Sequence, residues 1–195
     1  FKSQFDGNGK TIRNLKIIGS SKVGFFSETA GSSEIKNLGL VNITVIATGD
    51  DVGALVGGRM VGNISKSYSS GTIRGIAHVG GLVGQIYCIS TGTCQISKGV
   101  FQSYSEANIT GDRGLGGLVG RLDGGGRIND SYARGNVTNF GMLMNTRCGG
   151  LVGDVLSGNI TNSFSTGDVR CGSSTGGFCG RCEGKITKSF YDLEN

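Results

Sequence analysis

The amino-acid sequence predicts an all-β fold, a right-handed parallel β-solenoid (β-helix), three-sided and of about seven coils. Three observations lead there. A four-residue phrase recurs along the chain, β-branched triplets recur between its copies, and the 195 residues contain 38 Gly and no Pro. Self-similarity at a period of this size marks a repeat architecture whose units stack and bury a continuous core. Short β-branched runs bounded by Gly, Ser, Asn and Asp give strands and turns rather than helices.

The opening coil spans residues 1–22, with Phe5 to Ile18 as its strand-forming part. Six repeats follow over residues 23–195, and the whole chain is read as a single solenoid domain. The phrase is identical at Gly81-Leu82-Val83-Gly84, Gly117-Leu118-Val119-Gly120 and Gly150-Leu151-Val152-Gly153. Looser copies stand at Gly24-Phe25-Phe26-Ser27, Ala54-Leu55-Val56-Gly57 and Gly177-Phe178-Cys179-Gly180. Their final residues lie 30, 27, 36, 33 and 27 positions apart.

Each phrase leads to an apolar residue and a Ser-aromatic pair: Ile64 with Ser67-Tyr68, Val100 with Ser103-Tyr104, Ile128 with Ser131-Tyr132, Ile160 with Ser163-Phe164, and Ile186 with Ser189-Phe190. Five residues past the aromatic stands Ile73, Ile109, Val137 or Val169. Three triplets per unit predict three sides, with Gly at corners of positive φ. The Leu-Val, Ile/Val and Tyr/Phe positions are expected to form inward columns. Two insertions, residues 85–97 and 139–148, leave the rest of their units in register and so are loops on a scaffold. A β-propeller would need a unit of ~40–50 residues, longer than this one.

The repeated Gly-Leu-Val-Gly followed by Ile-x-x-Ser-Tyr resembles the GLUG motif of bacterial and protist surface proteins. Phe5-Asp6-Gly7-Asn8-Gly9-Lys10-Thr11-Ile12 is similar to the coil that often precedes such repeats, and Ser189-Phe190-Tyr191-Asp192 to the phrase that closes them. The resemblance implies an extracellular β-solenoid of the kind found in adhesins, haemagglutinin-like proteins and accessory regions of secreted peptidases. It implies no activity, because the matching residues are structural.

Composition narrows the function. The net charge of +5 is spread along the chain, so no basic stripe offers a nucleic-acid footprint. No apolar run approaches the ~18 residues of a membrane span. The chain opens on Phe1 without a signal segment, as expected of a processed piece. Six sequons begin at Asn42, Asn63, Asn108, Asn129, Asn136 and Asn159, candidates for N-glycosylation. In Asn42, Asn108 and Asn136 the middle residue is the inward β-branched one, which turns the Asn outward.

The six cysteines fit disulfides in a secreted chain. The favoured pairs are Cys88–Cys94 within the first insertion, Cys148–Cys171 across adjacent coils, and Cys179–Cys182. A zinc site on Cys179-x-x-Cys182 lacks a second CxxC or a His pair. Catalysis has little to build on. His78 is the single histidine, with no Ser and Asp evident beside it. The carboxylates, Asp50-Asp51 included, mostly occupy turns, and no pair recurs at glycosidase spacing. A flat Thr ladder for ice binding is broken by Arg74 and Arg170.

The chain is therefore expected to be a non-enzymatic, cofactor-free and metal-free structural glycoprotein of the cell exterior, a building block of a filament or surface layer. Its expected partners are copies of itself, joined end to end, or other surface proteins and glycans. An adhesin or lectin-like module is the alternative. It would use the two insertions, with Met142, Leu143 and Met144 as apolar contact residues.

Overall fold

A computed structural model describes residues 1–87, 98–141 and 146–192. Among the described residues there is no helix, and 25 strands form three parallel sheets. A 15-stranded sheet makes the long face, from Gln4–Arg13 and Lys16–Gly19 to Lys185–Thr187 and Phe190–Tyr191. One short face stacks Val52–Gly53, Ala77–Gly80, Arg113–Gly116, Arg147–Gly149 and Ser174–Gly176. The other stacks Val56–Met60, Val83–Tyr87, Val119–Asp123, Val152–Val155 and Cys179–Cys182. Bridges from Val23 to Val52 and from Phe26 to Val56 add one level to each short face. The long face thus has seven levels and the short faces six, about six full turns beyond the opening strands.

The β-branched positions pair level by level, as a stacked core requires. On the long face one inward column runs Phe5, Ile35, Ile64, Val100, Ile128, Ile160 and Ile186. A second runs Ile17, Val45, Ile73, Ile109, Val137 and Val169. The middle members of both columns are at most 1% exposed.

Between those columns the long face bends. Lys66, Gln102, Asp130, Asn162 and Lys188 each take a left-handed conformation, with φ between 47° and 51°. The bend breaks the main-chain ladder, and a buried N–H left there would cost about 1–3 kcal/mol. The serine after each bend fills the gap. Ser67 N–H donates to Ser103 Oγ (3.1 Å), Ser103 N–H to Ser131 Oγ (3.2 Å), Ser131 N–H to Ser163 Oγ (3.3 Å) and Ser163 N–H to Ser189 Oγ (3.2 Å). Each hydroxyl in turn donates to the carbonyl two residues earlier, as Ser131 does to Asn129 at 2.8 Å. Every hydroxyl is therefore both donor and acceptor inside the wall.

The inward aromatic column is corrected here. Ser67 and Ser69 point inward, so period-2 alternation turns Tyr68 outward between them. Tyr68, Tyr104, Tyr132, Phe164 and Phe190 stack face to face on the outer surface, with centroids 5.0, 4.7, 4.9 and 5.5 Å apart. Those spacings follow the strand separation of ~4.8 Å. The position behind the aromatics belongs to a second serine, whose Oγ crosses the core: Ser69 donates to the Gly81 carbonyl at 2.7 Å and Ser165 to the Gly177 carbonyl at 2.8 Å.

That crossing bond shows where the phrase goes. It is a wedge pushed into the coil, with Leu55, Leu82, Leu118 and Leu151 fully buried at its tip. One carbonyl accepts two N–H groups of the neighbouring level: Leu118 O from Leu82 N (2.8 Å) and Val83 N (3.2 Å). The two short faces form the sides of the wedge and pass back to back. None of the phrase glycines has positive φ, contrary to the expectation for corners. They are needed because main chains touch. A Cβ on Gly84 would sit 2.7 Å from Val52 N, one on Gly120 2.5 Å from the His78 carbonyl carbon, and one on Gly153 2.5 Å from Leu115 N.

Two measurements by urea denaturation check this account. Ser131→Ala, which orphans the Ser103 N–H, is expected to lower stability by about 1–3 kcal/mol. Gly120→Ala should destabilise severely. Gly172→Ala, where the nearest atom to the new methyl is 3.9 Å away, should be close to neutral. Equal effects of the two glycine substitutions would refute the close-approach explanation.

Candidate functional site

The outer edges of the wedge form a charged groove along the coil stack. The residue following four of the closing glycines contributes one side of it: Gln85, Arg121, Asp154 and Arg181 are paired in register, with Arg59, one residue further on past Gly58, at the level before Gln85. The other side is the residue before each inward Val or its equivalent. These are Lys22, Asp51, His78, Gly114 and Arg147, and the first four have φ between 50° and 62°.

Ion pairs fill much of the groove. Lys22 Nζ lies 3.0 Å from Glu28, His78 Nδ1 2.9 Å from Asp51 Oδ1, Arg121 Nη2 2.9 Å from Asp123, and Arg147 Nη1 2.7 Å from Asp154 Oδ2. Asp51 beside His78 corrects the expectation that the histidine stands alone. The two are 27 residues apart in sequence and neighbours in space because that is one coil. The described residues place no nucleophile on the imidazole, so the pair is a coil-to-coil contact. Burial pushes the Asp123 carboxyl up, but bonds from Arg121, the Gly124 N–H and Ser157 more than offset it, leaving it below its ordinary value.

Asp154 is the most deeply held charge, its side chain only 3% exposed. A buried carboxylate needs its oxygens satisfied. Oδ2 has Arg147, but Oδ1 has no hydrogen-bond partner, with Arg181 Nε at 3.9 Å. The groove widens into two openings. One of about 310 Å³ is lined by Lys22, Glu28, Asp51, Arg59, Gln85 and Tyr87. The other, of about 250 Å³, is lined by His78, Arg113, Gly114, Arg121, Arg147 and Asp154. Sequence reasoning missed this groove. Its signal was the polar residue after four of the five closing glycines, Gln85, Arg121, Asp154 and Arg181.

The structure places the sequence-predicted residues as follows. Asn42, Asn108 and Asn136 are exposed, whereas Asn63, Asn129 and Asn159 are half-buried in strands of the long face. Asn108 Oδ1 accepts the Asn136 N–H and Asn136 Oδ1 the Asp168 N–H, both at 3.0 Å, so each side chain is tied to the next level by its oxygen. Cys148 is joined to Cys171 with Cα atoms 6.3 Å apart, and Cys179 to Cys182 at 5.9 Å. Cys148 and Cys179 also continue the inward columns of the short faces, which is why both are buried. The pair Cys88–Cys94 and the residues Met142, Leu143 and Met144 lie outside the described residues.

Comparison with known proteins agrees with this architecture. The GLUG motif matches residues 111–138, which hold one full copy of the phrase and its Ile-x-x-Ser-Tyr sequel. The chain is 43% identical over 86 residues to Halomucin from Haloquadratum walsbyi; the match takes in 43% of the chain and 1% of Halomucin. The fold is similar to the crystal structure of a candidate immunoglobulin A1 protease from Bacteroides ovatus, with a TM-score of 0.71 at 22% identity. That likeness covers 98% of this chain and 60% of the other, and it shows the fold alone. The other copies of the phrase, two identical and three looser, take the same place in the coil as the copy inside the matched segment.

The outer aromatic column gives the surface a measurable pH response. Burial holds the Tyr104 hydroxyl above its ordinary value, helped by Tyr132, Glu106 and Tyr68. Burial raises Tyr132 as well, against Arg134 stacked 4.9 Å over its ring. A tyrosine whose folded value is raised adds stability that is complete below the unfolded value of about 10 and is lost as pH climbs through the folded value. Stability should therefore fall above about pH 10, and the double substitution Tyr104→Phe, Tyr132→Phe should flatten that limb. Phenolate absorbance and urea midpoints across the alkaline range test both statements.

Proposed function

We propose that this GLUG-repeat solenoid is a structural, non-enzymatic module of an extracellular or cell-surface glycoprotein. The observation that carries the reading is how the coils are tied. Main chain, serine hydroxyls and aromatic rings all run in ladders from level to level, and disulfides reinforce the later coils. Disulfides of this kind persist in oxidising compartments. The likeness to Halomucin supports placement outside the cell. The groove's acids are engaged by neighbouring cations, His78–Asp51 between levels and Arg121–Asp123 and Arg147–Asp154 within one, an arrangement suited to bracing the coil more than to proton transfer. The Bacteroides ovatus neighbour contributes fold and no chemistry to this reading.

The exposed asparagines complete it. Asn108 and Asn136 stand one above the other on adjacent levels, each held by its Oδ1, so sugar on them would line one strip of the long face.

Intact-mass analysis of the chain secreted from eukaryotic cells tests the proposal. Enzymatic deglycosylation is expected to remove mass, with Asn108→Gln and Asn136→Gln each removing one glycan. Reduction should add a pair of hydrogens per disulfide. A chain recovered without sugar and with every thiol free would sink the extracellular reading. Cleavage of immunoglobulin A1 by the purified chain would sink the non-enzymatic one.

A further inference from the structure

The smaller opening in the groove exists because one level lacks a side chain. In the column Lys22, Asp51, His78, Gly114, Arg147 and Ser174, set by the strand pairing, only Gly114 leaves a gap. The gap measures about 250 Å³, below the ~300–1,000 Å³ of clefts that take drug-sized ligands, and suits a single ring. Its lining is unbalanced. Three guanidiniums and one carboxylate line it; Arg121 is also engaged by Asp123 and Arg147 by Asp154. Arg113 is exposed, and no ion pair to it is found among the described residues. Arg121 Nε and Asp154 Oδ1 are both buried without a hydrogen-bond partner.

We propose that this opening binds one acidic sugar unit of a glycan, a uronate whose carboxylate is taken by Arg113 and Arg121 while a ring hydroxyl donates to the Asp154 carboxylate, whose Oδ1, shut off from solvent in the unliganded chain, turns to meet it. The two unmet requirements select that class. The orphaned donor of Arg121 and the unpaired charge of Arg113 call for an anion, and charge-assisted bonds to guanidinium are the strong ones. A bare inorganic anion would satisfy the arginines but meet the Asp154 oxygen with nothing to donate. A neutral sugar would satisfy Asp154 and leave Arg113 unpaired. An ammonium group would be repelled by three guanidiniums. A hydroxyl next to a carboxylate on one rigid ring supplies both requirements at once. Gln85, the register partner of Arg121, lines the larger opening, so the two openings sit on adjacent levels of the stack. The inference needs neither the glycoprotein nor the localisation reading and would survive their failure.

The test is calorimetric titration of the intact chain with sodium glucuronate, alongside glucose and sodium sulfate. Glucuronate is expected to bind saturably, with glucose and sulfate each at least about tenfold weaker. Arg113→Gln should weaken glucuronate about tenfold, the value of one charged hydrogen bond. Gly114→Asn should abolish binding, because asparagine tolerates the left-handed backbone (φ 62°) and refills the gap as Asp51 and His78 do at their levels. Unchanged thermal midpoints would show that both variants still fold, and Arg113→Gln removes only an exposed side chain. Absence of saturation by glucuronate, sulfate binding as tightly as glucuronate, or unchanged titrations of both variants would overturn the assignment.

Discussion

The structure depends on what happens to one backbone N–H per coil. The long face must bend to wrap a core, and the left-handed residue that bends it, such as Gln102 or Asp130, opens the main-chain ladder inside the wall. Water cannot reach that N–H, and no carbonyl is in register to take it. The serine hydroxyl of the next level accepts it, then passes its own proton to a carbonyl within its own level. Bend and hydrogen bond are thus supplied by two adjacent residues. The residue that follows must face outward, and that places the aromatics on the surface in a stack whose pitch is the strand spacing.

The wedge answers the complementary problem of filling the coil. A triangular wall of parallel strands with small side chains would enclose a void, and voids in cores are costly. Folding two short faces inward, back to back, brings Leu55, Leu82, Leu118 and Leu151 to the centre of the four middle levels and leaves no space between the main chains. Glycine is the only residue that fits where the two faces touch. The same fold leaves the outward residues of both faces side by side, so the charged groove is the outer counterpart of the packed wedge.

Much of this was legible in the chain. The period, the three strand segments and the Ile/Val columns follow from spacing alone, because parallel stacking puts equivalent residues above one another. The aromatic column was misplaced because Tyr and Phe count as apolar in a periodicity argument. The informative residues were Ser67 and Ser69 on either side of Tyr68, which take the inward positions by alternation. The phrase glycines were assigned to positive φ on general grounds, whereas at the bends of the long face Lys, Gln, Asp and Asn bear that conformation and the phrase glycines serve close approach. His78 and Asp51 stand one 27-residue unit apart, so their meeting was implicit in the repeat but invisible to a search for local motifs. The opening at Gly114 depends on which level happens to lack a side chain, and only the assembled stack reveals that.

The serine ladder has a further consequence for how such a molecule varies. Each level satisfies its own bend with the hydroxyl of the level beyond and asks nothing of more distant coils. Adding or deleting one minimal unit lengthens or shortens the stack by one strand spacing, about 4.8 Å, and leaves every other bond as it was. Length in this architecture is therefore quantised, and it can change without renegotiating the core. The groove changes differently. Shifting Gly114 by one unit relative to its arginines would dissolve the opening they line, so the same duplication that leaves the scaffold untouched rewrites its surface.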